Sequence, residues 1–514
     1  MRLWFSFLGL LFCCQLYAFE GLKIVMNLDT PKESMELTQD FAAFAENAKI
    51  ITTGVRWQKE NDIWILQSSK PFSEVQFILN TSVKVASSYS LIDFMNSGDA
   101  LLYWPYWNSL FSNANFHISI EASEKQLFVD GEPLKDNLIK IDCRCFVLIA
   151  NDHKVQQLDD FSVYFHEKLS QSQRNLLIET LGSQLEFYTL KFGKLSRSPL
   201  FVFDLSDVNN GVSSGDVESN VTYFQFDTSL FDTSSNQILS FNKLLFHETF
   251  HLWHSVLFTE AADKWIYEGT ANAVTLKALV ASKFLSKQGF EEEVAESVNQ
   301  CSSFIEGKSL EVLTFDDAIY QCGNLFFSAL FMSDEALFSL DTLWTQPLDK
   351  IQLLQKITKN IDDKSFGAVL ERMIQGDFDT SEFPDLFPNT VLVNAGDANA
   401  TMQELKVACA SLFAKIMAND CHGVSFSLSD KGLQVQQAPN CSNIVDGVID
   451  KINGLSFPKQ CISIHDNVVS HCQYATTTLF SKKETVSLGY IDNTQVLATC
   501  PAGLLHRAVR YQFR

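Results

Sequence analysis

The sequence predicts a multidomain α+β protein, and three observations carry that prediction. Residues 19 to about 150 alternate apolar and polar positions in short runs, the period-two pattern of half-buried strands. From about 160 the apolar residues fall mostly at helical spacing, broken by two strand-like segments. The stretch SEFPDLFPNTVLVNAGDANAT, rich in Pro, Asn and Asp, reads as a linker into a segment carrying six cysteines. A chain of 514 residues accommodates two to four domains. The expected division is a leader at 1–18, an N-terminal β-sandwich-like domain at 19–150, a mixed but largely helical domain at 151–385 and a small Cys-rich, β-containing domain at 386–514.

The leader, MRLWFSFLGLLFCCQLYA, has one Arg, then an apolar run, then Ala18 at a cleavage position. That is the pattern of a secretory signal peptide, and the run is too short for a stable membrane span. Phe12 disfavours a lipoprotein anchor at Cys13 or Cys14, because small residues are preferred before such a cysteine. No later run is long enough to cross a bilayer, so the expected product is soluble, exported, and periplasmic or extracellular.

The strands of the first domain are read in GLKIVMNL, DIWILQ, EVQFIL, NFHISIEA, KQLFVDG and KIDCRCFVLIA. Asp-Gly and Gly-Glu-Pro punctuate them as turns, and short alternating runs of this kind suit a sandwich. Cys143 and Cys145 read as two strand residues on one face. In the second domain QSQRNLLIETLGSQLEFYTLKFG is a helix and SPLFVFDLS a strand. A Gly/Ser/Asp/Asn loop follows, and VTYFQFD is read as an edge strand. The segments SFNKLLFHETFHLWHSVLF, ANAVTLKALVASKFL, EEEVAESVNQC and NLFFSALFM have helical spacing.

The first of those helices contains His247-Glu248-Thr249-Phe250-His251, the H-E-x-x-H pattern. Residues four apart lie one above the other on a helix, so His247 and His251 can hold one metal ion together. Leu245, Phe246, Phe250, Trp253 and Leu257 form an apolar surface that would bury the helix and hold its ligands still. Glu268, in WIYEG, supplies a third ligand from a second helix. Two His and one Glu with a fourth position open is the ligand set of a catalytic zinc, and one Zn2+ per chain is expected. Glu248 then points beside the metal, placed to take a proton from the bound water. Asn272, four residues after Glu268, is a candidate hydrogen-bond partner for a ligating His. His254, one turn beyond His251, is a candidate substrate contact or substitute ligand, or a polar residue near the mouth of the site.

These segments resemble the gluzincin metallopeptidases, and most closely the glycyl aminopeptidase-like family. HETFHLWH stands where that family has H-E-Y-F-H-x-W-N, and Trp265-Ile266-Tyr267-Glu268-Gly269 matches its W-x-x-E-G. The resemblance covers roughly residues 160 to 335. It implies a thermolysin-like catalytic domain, a zinc cofactor, a peptide or protein substrate and aminopeptidase action. Tyr320-Gln321-Cys322-Gly323 stands in place of a Tyr-x-Lys-Gly turn opening an apolar helix. The resemblance therefore makes Tyr320 the candidate that stabilises the oxyanion. The acidic loop that recognises a substrate amine has its counterpart in SGDVESNVTYF, with Glu218 the candidate anchor and Asp216 its rival. Departures are Cys322 for the Lys and a short gap between His251 and Glu268. DGVIDKINGLSF resembles the PDZ-like domain that follows the catalytic unit in the glycyl family, the alternative being a disulfide-stabilised β module of another type.

A formal charge of −22 disfavours nucleic acid and anionic membrane surfaces as partners. Without the leader ten cysteines remain, an even number that in an exported chain points to disulfides. Cys301 and Cys322 are read as flanking one helical stretch and are a candidate pair that would fix the Tyr320 turn. The 43 Phe residues exceed what core filling usually needs. Two other functional readings stand beside the aminopeptidase: an endopeptidase using the same centre, and an inactive secreted peptide-binding protein that kept the fold.

Overall fold

The computed structural model describes residues 22–387 apart from 85–89, 96–97, 113–114, 122–124, 135–137, 140–143, 206–213, 228–230, 232–234, 259–262, 306–308, 311–315, 334–339 and 361–363. Beyond 387 it describes the strand segments 392–394, 425–429, 432–436, 447–452, 455–456, 485–490, 495–499 and 511–513. The leader at 1–18, Cys143 and the six cysteines after residue 400 lie outside the described residues. The chain divides into two compact units, Met1–Leu158 and Asp159–Arg514, and is α+β, with several sheets and a run of helices.

The first unit holds two antiparallel sheets. In one, β1 (Leu22–Glu36) pairs with β3 (Ile63–Leu79) and β5 (Phe116–Glu121), and β2 (Val55–Glu60) forms a hairpin with β3. In the other, β7 (Phe146–Ala150) lies between β4 (Ala100–Tyr103) and β6 (Gln126–Val129). Ile24, Met26, Val75, Phe77, Ile118 and Ile120 of the first sheet share one core with Leu102, Leu127, Val129, Val147 and Ile149 of the second. The period-two alternation read in the sequence is therefore the inward face of each sheet. Cys145 is fully buried and disulfide-bonded; the reading of it as a plain strand residue missed its chemistry.

In the second unit β8 (Ser162–Phe165), β9 (Leu200–Leu205) and β11 (Val221–Phe226) run parallel, and β10 (Ser214–Glu218) adds antiparallel to β11. This corrects the sequence reading. VTYFQFD is an inner strand, and the edge is β10, inside the segment read as a loop. Helix α1 (Gln171–Phe192) follows β8. It starts at a reciprocal cap between Ser170 and Gln173 and stops at Gly193, whose φ of 85° suits a residue without Cβ.

Helices α2 (Ser235–Leu257), α3 (Lys264–Ala281), α4 (Lys287–Ile305) and α5 (Asp316–Ser333) form the helical body. Much of the Phe content is spent here and on the adjoining sheet. Phe203 stacks on Phe224 at 5.1 Å, Phe226 meets Phe241 at 5.0 Å, and Tyr188 sits among Phe246, Phe250 and Trp253. Part of the segment read as a linker is packed structure: a 3-10 helix spans Thr380–Leu386, with Phe383 and Leu386 fully buried. Leu392–Asn394 pairs with Tyr511–Phe513 near the chain's end. Among the described residues no helix is long and apolar enough to cross a membrane.

Cys301 of α4 is bonded to Cys322 of α5 across a sequence separation of 21. They do not flank one helical stretch but staple two neighbouring helices, and both are fully buried. Closing a loop of this length stabilises by about 3 kcal/mol through the unfolded chain. A Cys301→Ala, Cys322→Ala double variant is expected to lose about that much in equilibrium denaturant unfolding. Unfolding at the wild-type midpoint would show that the staple carries no stability.

Candidate metal centre

Helix α2 is held from several sides. The Tyr188 hydroxyl of α1 donates to the Phe246 carbonyl at 2.9 Å, and Thr249 donates its hydroxyl to Gln184 at 2.9 Å. Trp253 Nε1 donates to the Gly193 carbonyl at 2.8 Å. Leu245, Phe246, Phe250 and Trp253 are completely buried. These anchors surround the pentapeptide, so the backbone bearing His247, Glu248 and His251 has little freedom.

Helices α3 and α5 meet through glycines. A Cβ on Gly269 would sit 2.5 Å from the Gly323 backbone, and one on Gly323 would sit 2.4 Å from the Trp265 carbonyl oxygen. The two backbones therefore touch, which puts Glu268 of α3 and Tyr320 of α5 at the same place in the fold. Both glycines belong to segments already singled out, WIYEG and YQCG. Tyr320 lies within α5 and not on a turn opening a helix. Its ring centroid is 5.8 Å from that of His247.

One ligand atom from each of His247, His251 and Glu268 lies within 4.8 Å of the others. His251 Nε2 is 3.0 Å from His247 Nε2, and Glu268 Oε2 is 3.1 Å from His247 Nε2 and 3.5 Å from His251 Nε2. Ligands of a tetrahedral zinc with bonds of 2.0–2.1 Å lie about 3.3 Å apart, so this donor set fits that ion. The electrostatics agree. Burial pulls His247 down, but its hydrogen bond to Glu268 and the charges of Glu248 and Glu268 outweigh burial and hold it above its ordinary value. Burial lowers His251 to about 4. Burial would raise Glu268, yet the hydrogen bonds from the two histidines keep it well below the carboxylate range. The three donors thus lean in different directions: His247 toward its charged form, His251 toward its neutral form and Glu268 toward its carboxylate.

Around the cluster, His247 Nδ1 is 2.8 Å from Asn272 Oδ1, and Asn272 Nδ2 donates to the Tyr320 carbonyl at 3.4 Å. Glu248 is buried, and burial pushes its carboxyl up to about 7, with His247 opposing and Asp216 and Glu268 reinforcing. The edge strand β10 lies against it: a Cβ on Gly215 would be 2.5 Å from Glu248 Cγ. Asp216 and Glu218 follow on the same strand. Burial first, then Glu268, Glu248, Glu218 and Asp216, raise the Tyr267 phenol, so four carboxylates act on one side chain beside the cluster.

Sequence reasoning missed Tyr267 and misplaced His254. The Tyr267 ring stacks on His251 at 4.4 Å with an interplanar angle of 10°. His254 is neither a mouth residue nor a ligand; it is 4% exposed and its Nδ1 is 2.7 Å from His251 Nδ1, the ring nitrogen facing away from the cluster.

No protein-family model matches the chain, and no curated protein sequence matches it. Among solved structures, an aminopeptidase N family protein from Idiomarina loihiensis superposes with a TM-score of 0.54 over 96% of both chains, at 12% identity. The fold is that of an aminopeptidase N family protein. An M1 zinc metallopeptidase from Deinococcus radiodurans aligns over 69% of this chain and 84% of its own, at 14% identity and a TM-score of 0.36. Native yeast LTA4 hydrolase aligns over 77% of this chain and 66% of its own, at 11% identity and a TM-score of 0.38. The gluzincin aminopeptidase-like reading of the sequence agrees with this fold.

Proposed function

We propose that the chain is a zinc metallopeptidase, acting as an aminopeptidase, with residues 151–385 as its catalytic domain. The observation that carries the reading is the convergence of His247, His251 and Glu268 with Glu248 buried beside them under an edge strand. Bound there, Zn2+ would lower the pKa of a water and polarise a peptide carbonyl.

The chain's own residues supply the rest. A peptide in extended form adds to β10 by main-chain hydrogen bonds, which orients its carbonyl without regard to side chains. Glu248, with a carboxyl near neutrality, accepts a proton from the attacking water and returns it to the leaving amine. Tyr320, beside His247, donates its phenol proton in a hydrogen bond to the developing oxyanion. Glu218, with Asp216 near it on the strand, binds the free amino terminus. An amine among these carboxylates gains more than a blocked terminus, which favours the exopeptidase over an endopeptidase using the same centre. The leader pattern at 1–18 and the Cys301–Cys322 bond support an exported, oxidising location.

The test is cleavage of a peptide library, half of it blocked at the N-terminus, read by mass spectrometry with Glu218→Ala alongside. Loss of single N-terminal residues from free peptides only, reduced in Glu218→Ala, is expected. Internal cuts in both halves would make it an endopeptidase and remove Glu218 from the site. No cleavage at all would leave the peptide-binding reading.

A further inference from the structure

We infer that His254 is a positioning residue: it links His251 to Thr270 in a hydrogen-bonded chain whose direction is set by the backbone of α3 and which leaves the His251 lone pair aimed at the metal site. The inference rests on the zinc reading above, and it concerns which nitrogen of each ring carries the proton.

The chain begins at Thr270, on α3. Thr270 Oγ1 is 2.7 Å from the Ile266 carbonyl oxygen and 3.1 Å from that of Tyr267. A carbonyl oxygen only accepts, so the single hydroxyl proton of Thr270 is committed to the helix backbone. The Thr270 oxygen can then only accept from His254, whose Nε2 is 3.1 Å away. His254 therefore carries its proton on Nε2, and its Nδ1 is a bare acceptor. His251 Nδ1, 2.7 Å from that acceptor, must be the donor. The consequence is a proton on Nδ1 of His251 and a lone pair on Nε2, the atom that faces His247 and Glu268.

The opposite polarity would put a proton on His251 Nε2 and block it as a ligand. The links of the chain are shielded from bulk solvent. His251, His254 and Thr270 are all buried, and His254 is packed between Tyr267 at 3.9 Å, Phe250 at 4.8 Å and Phe258 at 5.6 Å. His247 is set differently, by the Asn272 side chain. The two ligating histidines thus have independent supports, one amide and one imidazole, and loss of one should leave the other intact. A metal-bound His usually donates its second nitrogen to a carboxylate, a carbonyl or water; a neutral imidazole in that role needs a further acceptor behind it, and Thr270 is that acceptor.

The experiment measures zinc affinity by chelator competition, with folding followed by circular dichroism. His254→Phe keeps the ring and loses the acceptor. Thr270→Val keeps the shape and loses the end of the chain. Each is expected to weaken zinc binding roughly 10- to 100-fold, and the pair together little more than one alone. His254→Gln, whose amide oxygen can accept from His251, is expected to recover part of the loss. Nitrogen-15 NMR of histidine-labelled, zinc-loaded wild-type protein reads the tautomers without any substitution, which covers variants that fail to fold. Nδ1–H on His251 with Nε2–H on His254 is expected. Wild-type affinity in both single variants, or Nδ1–H on His254, overturns the inference and leaves the zinc centre standing. A wild-type protein that binds no zinc overturns both.

Discussion

Glu248→Gln is expected to lower kcat/KM for peptide cleavage by about 10²–10⁴ while zinc content stays at the wild-type level. Those factors are the usual contribution of a positioned general base. The substitution is nearly isosteric, so it removes the proton acceptor and little else. The side chain has no room to reorient, because Gly215 of the edge strand packs on its Cγ and Cδ and α2 is anchored on both sides of it. Stability separates this role from a structural one. Burial holds the Glu248 carboxyl at about 7, above its ordinary 4.5. A carboxyl raised in the folded state favours folding while it is protonated, and that stability is lost as pH rises through about 7. Chelator-treated wild-type protein should therefore weaken between about pH 4.5 and 7 relative to the variant, whose amide does not titrate. Loss of zinc together with activity would make Glu248 a structural residue, and wild-type cleavage by the variant would place the base elsewhere.

Much of this centre was legible because its parts are periodic. His247 and His251 share a helix face by spacing alone, and Asn272 follows Glu268 by one turn, so their placement needed only the helix. The edge strand was not legible. Ser214–Glu218, with the sequence SGDVE, has almost no strand-forming residues, and the Ser219-Asn220 turn that follows lacks a glycine, Ser219 taking a φ of 54° itself. Pairing with β11 imposes the strand, a tertiary effect that overrides local preference. His254 failed for another reason. Spacing places it near His251, but only packing decides that its ring turns inward to Thr270 on another helix. The Gly-Gly contact was visible as two motif glycines whose shared purpose appears only when α3 and α5 are seen to cross.

That crossing leads to the second large effect, expected for Gly323→Ala. A Cβ there would lie 2.4 Å from the Trp265 carbonyl oxygen, 2.8 Å from Gly269 Cα and 3.3 Å from Gly269 N. Every one of these atoms is backbone inside a helix, so no side chain can swing aside. The helices must part, against a disulfide that holds the adjacent Cys322 to α4. Overpacking of this kind costs about 1–3 kcal/mol, and more where the neighbour is rigid. The functional loss should exceed the loss of fold. Glu268 precedes Gly269 by one residue, and Tyr320 lies one turn before Gly323 with its carbonyl held by Asn272. A shift near 1 Å between α3 and α5 therefore moves the proposed zinc ligand Glu268 relative to the proposed oxyanion donor Tyr320, and displacements of that size cost on the order of 10²-fold in rate. Gly182→Ala is the matched control. It lies inside α1, where an added Cβ meets nothing within 4 Å, and replacing a helical Gly by Ala should stabilise by up to about 1 kcal/mol. Thermal melting, zinc content and kcat/KM of the folded protein distinguish the two. If Gly323→Ala melts and cleaves like the wild type, the glycine contact does not position the centre, and the spacing of Glu268 and Tyr320 must be set by the helices' other neighbours.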